Sequence, residues 1–95
     1  MDRNGYNESI LGNEKVCHLT GRYNCDLIRH EIFYGVANRK LSKEWGCWVY
    51  LTPEAHARLH ADREIDLKLK IECQEAFEKK YGHAKFMSIF GRNYL

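Results

Sequence analysis

Polar and apolar positions fall into distinct patterns along the chain, and each pattern predicts an element. Residues 1–14, MDRNGYNESILGNE, show no period and are rich in Asn, Gly and Ser, which reads as a loose arm. Lys15 to Leu19 reads as a short strand and Thr20 to Asn24 as a turn. From Cys25 to Ile32 the residues alternate, as a strand does, with Ile28, His30 and Ile32 on one side. Ala37 to Trp45 suits a short helix stopped by Gly46. Trp48-Val49-Tyr50-Leu51 is a short apolar run of strand propensity. Thr52 is a good N-cap and Pro53 a good first helical residue, so a helix follows with Leu59 toward the core. From Asp62 to about Tyr81, Ile65, Leu69, Cys73, Ala76, Phe77 and Tyr81 recur at helical spacing. Gln74, Glu75, Glu78 and Lys79 populate the other faces. Gly82 ends that helix, and Phe86, Ile89 and Phe90 mark a last one stopped by Gly91. Short strands with several helices make an α+β chain whose aromatic-rich end packs on the core.

Composition narrows this only a little. Ninety-five residues make one domain, and 44% hydrophobic with 29% charged residues is a globular balance. No long apolar stretch offers a membrane span and no secretory signal opens the chain, so the expected place is the cytoplasm, the host cell's if phage-encoded. The net charge of +2 barely argues for nucleic acid. Its distribution says slightly more: residues 36–70 carry seven Lys or Arg against five acids, residues 1–35 four against five. The cysteines at 17, 25, 47 and 73 contain no C-x-x-C, so reduced thiols are expected rather than a four-cysteine zinc site.

The chemistry concentrates between residues 29 and 60. His56 and His60 are four apart, so on a helix both imidazoles project from one face and can meet a single ion. His30, from the neighbouring strand, is the natural third ligand. Three protein ligands leave an open position, the usual layout of a catalytic rather than a structural site. Three imidazoles suit zinc, nickel or manganese, and magnesium is a further candidate. Arg39, Lys40 and Lys43 are candidates for phosphate contact, and Arg58 can reach a phosphate or stay in solvent. The competing reading is plain: a histidine on an apolar strand face is often a core residue, and a charged run often a solvated face.

The run RHEIFYGVANRKLSKEWGCWVYLTPEAHARLH, continued by IDLKLK and FMSIFGRNYL, resembles the small HNH endonucleases of phages and prophages. The resemblance covers roughly residues 15–95 and implies a ββα-metal (His-Me finger) fold, with the core at about 25–61 and a C-terminal helical extension at 62–95. It implies a metal-dependent endonuclease that hydrolyses phosphodiester bonds of nucleic acid, DNA above all, as a monomer or homodimer. Phage packaging or recombination proteins would be partners. His30, His56 and His60 match the metal ligands. The residue after the first ligand is usually the histidine that activates water; here it is Glu31. The middle asparagine is replaced by Gly46, with Asn38 a possible substitute. Cys17 is the one remaining ligand of a zinc knuckle whose other positions hold Thr20, Thr52 and Ala55, so no structural zinc is expected. The alternative function is a catalytically weak HNH-fold module that binds nucleic acid or joins a phage complex.

Overall fold

The computed structural model describes all 95 residues. The order is β1 (Ile28–Glu31), α1 (Asn38–Glu44), β2 (Trp48–Leu51), α2 (Pro53–Ala61), α3 (Arg63–Tyr81) and α4 (His83–Phe90). The strands pair antiparallel, with Ile28 opposite Leu51, Arg29 opposite Tyr50, His30 opposite Val49 and Glu31 opposite Trp48. Directly opposed residues share a face. One face therefore carries His30, Val49 and Leu51, and the other carries Arg29, Glu31, Trp48 and Tyr50.

β1 is shorter than the alternation from Cys25 to Ile32 predicts. β2 ends at Leu51 because Thr52 and Pro53 begin α2, so residues before Ile28 have no opposed backbone to pair with. At the other end Ile32 and Phe33 are both buried, which a regular strand facing one core cannot do. The chain bends there. The Ser42 hydroxyl, itself buried, accepts from Phe33 N and donates to Phe33 O, pinning the bend to α1. The expected strand at Lys15 to Leu19 is a single bridge between Val16 and Tyr23 around a tight turn at Gly21.

Thirteen buried residues form the core, drawn from β2, α2, α3, α4, the bend at Ile32-Phe33, and Cys17 and Cys47. α3 contributes Leu69, Cys73 and Phe77, one per turn of a single stripe. α4 adds Phe86 and Phe90, and their rings cluster with Phe33 and Phe77 at centroid distances of 4.6 to 5.4 Å for the closer pairs. Gln74, off the apolar stripe, is nevertheless fully buried. Its amide donates to Glu78 and Asn93 and accepts from Tyr94 N, so the polar group is satisfied and ties the C-terminal residues to α3.

Residues 1–14 have neither helix nor strand, but they are no loose arm. Asn7 N donates to Lys43 O, Ile10 N to Gly46 O, and the Ser9 hydroxyl to Trp48 O at 2.6 Å. The Trp48 indole in turn donates to Asn7 O. The segment covers the outer sheet face, where Tyr6 meets Trp48 edge-on at 5.5 Å. Gly46 makes this seat possible: its φ is +70°, and a Cβ there would collide with Glu8 O. No helix is long and apolar enough to cross a membrane.

Candidate metal centre

Local rules set the helix that carries two of the histidines. The Thr52 hydroxyl accepts from Ala55 N at 3.1 Å and Pro53 fills the first helical position, so α2 starts at a fixed residue. Ala55 and Leu59 then face the core. His56 and His60, one turn apart on the adjoining face, bring their Nε2 atoms to 3.1 Å. From β1, His30 reaches the same point, with ring centroids 5.1 Å from His56 and 5.5 Å from His60. One ligand-capable atom from each of the three lies within 4.8 Å of the others, close enough to hold one metal ion.

Burial favours the neutral ring at His30 and His56. Burial pulls His30 down to about 4, helped by the neighbouring His56 and His60 and opposed by Asp66. Burial and then His60 lower His56, with Arg39 adding to the effect and Glu31 opposing it. A neutral imidazole keeps the lone pair that a metal requires. His30 Nε2 is buried with no hydrogen-bond partner, a costly state for a polar atom unless something else takes that lone pair.

A pocket of about 160 Å³ opens over this cluster, lined by His30, Glu31, Tyr34, Arg39, His56 and His60. Glu31 is the last residue of β1, on the strand face opposite His30, yet it lines the pocket. Its Oε2 accepts from the Tyr6 hydroxyl at 2.7 Å. Arg29 is no partner of Glu31; it pairs with Asp2 at 2.7 Å. Arg39 lines the pocket, but Asn38 does not. Lys40 and Arg58 are exposed and lie outside it. Lys43 turns to the outer face, 4.9 Å above the Tyr6 ring.

Tyr34 and Asp66 are site features that pattern reading missed. Tyr34 forms one wall, its ring 5.3 Å from His60 and its hydroxyl donating to Asp66 at 2.8 Å. Asp66 also pairs with Lys70 at 2.9 Å, one turn along α3. That Asp-x-x-x-Lys spacing is the signal that could have drawn attention to Asp66.

Cys17 is buried, its sulfur accepting from Thr52 N at 3.4 Å. Burial raises this thiol, but hydrogen bonds from Thr20, Thr52 and Leu19 outweigh that and bring it to about 7. The Thr52 hydroxyl is spent on capping α2.

No family model matches the chain, and neither the curated proteins nor the solved structures contain a match to it.

Proposed function

We propose that this chain is an HNH-like, divalent-metal-dependent endonuclease acting on nucleic acid, with DNA the expected substrate. The observation that carries the reading is the histidine cluster: three imidazoles, one from a strand and two from the capped helix that follows its antiparallel partner, converging within 4.8 Å. The donor set fits a metal. Two ring nitrogens stand 3.1 Å apart, a third is buried without a partner, and burial keeps His30 and His56 neutral. His30, His56 and His60 would hold the ion, whose zinc, nickel, manganese or magnesium identity the ligands leave open. When bound it supplies a Lewis acid for a phosphodiester oxygen and its leaving group.

The remaining roles belong to the chain's own side chains. Arg39, at the pocket edge, binds a backbone phosphate and so fixes register without reading sequence. Glu31, with one oxygen held by Tyr6, offers the other to take a proton from the attacking water at the pocket rim. Tyr34, anchored on Asp66, walls the far side against bulk water.

A plasmid-nicking assay tests this. The metal-stripped protein is supplied with magnesium, manganese, nickel or zinc in turn, beside His56→Ala. Metal-restored nicking that the variant lacks is the expected result. The second reading, a nucleic-acid-binding module in a phage packaging or recombination complex, is favoured by the position of Glu31 on the sheet face away from His30 and by Gly46 in place of asparagine. One bound ion per chain with no nicking under any condition selects it.

A further inference from the structure

We propose that Tyr6 is a positioning residue for Glu31: its hydroxyl, donated at 2.7 Å from the outer sheet face, holds one carboxylate oxygen and leaves the other at the rim of the histidine pocket. The inference rests on the nuclease reading, in which Glu31 serves the attacking water.

Strand alternation creates the need. Glu31 shares its face with Arg29, Trp48 and Tyr50, not with His30. Left alone on that face, its carboxylate has an obvious partner two residues away, the Arg29 guanidinium. An arginine fork takes both oxygens of a carboxylate and would turn Glu31 back along the sheet, away from the pocket. The N-terminal segment prevents this twice over. Asp2 occupies Arg29 at 2.7 Å, and the guanidinium is further held over the rings of Tyr6 at 4.4 Å and Trp48 at 4.9 Å. Tyr6 then offers Glu31 a single neutral donor, which can satisfy only one oxygen.

The phenol is not on a free tail. Asn7 N is bonded to Lys43 O and Asn7 O to the Trp48 indole, so the residue after Tyr6 is clamped to both α1 and β2. Burial, and then the hydrogen bond and charge of Glu31, push the Tyr6 phenol well above its ordinary value. It therefore stays protonated at neutral pH, as a donor to Glu31.

Tyr6→Phe removes the hydroxyl and keeps the ring against Trp48 and Arg29. It is compared with Glu31→Gln and the double variant. Three readouts separate positioning from folding: kcat against KM for nicking, metal affinity by calorimetry, and the ¹³C resonance of the Glu31 carboxyl in the metal-free protein. The expected result is a roughly tenfold loss in kcat, from losing one hydrogen bond to a charged group, with KM and metal affinity unchanged. The Glu31 resonance moves in the metal-free protein, and Tyr6→Phe costs nothing further in the Glu31→Gln background. Wild-type kcat in Tyr6→Phe overturns the role of Tyr6 alone. Equal losses in both backgrounds also overturn it, because they show a merely structural contact. Absence of nicking by the wild type with every ion overturns the nuclease reading and this role with it.

Discussion

The two faces of the β1–β2 ribbon have opposite kinds of cover. The inner face, with Val49 and Leu51, is part of a thirteen-residue apolar core backed by α2, α3 and α4. The outer face, with Arg29, Glu31, Trp48 and Tyr50, is covered by a segment with no regular structure, through hydrogen bonds, an ion pair and a guanidinium set over an aromatic ring. A two-stranded ribbon is marginal by itself and needs packing to persist. Here helices supply it on one side and an irregular strip of backbone on the other. The candidate site sits where the faces meet: the histidines belong to the inner side, Glu31 to the outer. Burial of apolar surface fixes the histidines, whereas directional polar contacts fix the carboxylate.

Breaking the inner side should cost most. Phe77→Ala empties the middle of the ring cluster beside Phe86 and Trp45, and a loss of about 4 kcal/mol is expected from urea unfolding. Gly46→Ala attacks the outer side through its seat. The added methyl meets Glu8 O in a left-handed backbone conformation, and about 3 kcal/mol should be lost in the same measurement. His56→Ala should leave the fold standing but lower metal affinity by more than about a hundredfold, read by calorimetry.

Acid probes the inner side by another route. In the folded protein His30 stays neutral down to about 4, whereas its ordinary value is 6.5. Between those values the unfolded chain binds the extra proton, so the metal-free protein loses stability as the pH falls from about 6.5 toward 4, and the effect levels off below that. His56 shifts in the same direction and adds to it. Urea midpoints of metal-free protein across that range check the sign; a midpoint that rises on acidification would contradict it. The smallest effect belongs to the outer rim. Asp2→Ala removes a partly exposed ion pair, and the same urea measurement should show the smallest loss of this series.

What could be read from the residues alone follows the same division. β2 and the start of α2 were legible because their signals are local: a four-residue strand-forming run, then Thr52 and Pro53 in cap order. The histidine trio was legible because spacing on one helix and place on one strand suffice to bring it together. The outer cover was not legible. Its contacts join residues up to 41 positions apart, run largely through backbone carbonyls, and leave no period in the first fourteen residues. The burial of Gln74 was hidden for a related reason: it depends on Asn93 and the Tyr94 amide, which lie beyond its own helix. Alternation likewise could not show that β1 begins at Ile28, because strand length is set by the partner, and β2 is cut short by a helix cap.

The seat at Gly46 also sets an order of events during synthesis. The segment that covers the outer face leaves the ribosome first, yet the backbone it docks against, at Lys43, Gly46 and Trp48, is made some forty residues later. At ordinary elongation rates it waits roughly two to eight seconds without a partner. Its polar, aperiodic composition suits that wait: Asn, Gly and Ser offer little for a chaperone or another nascent chain to grip. The features that made this stretch read as a loose arm are the ones that let it stay uncommitted until its place exists.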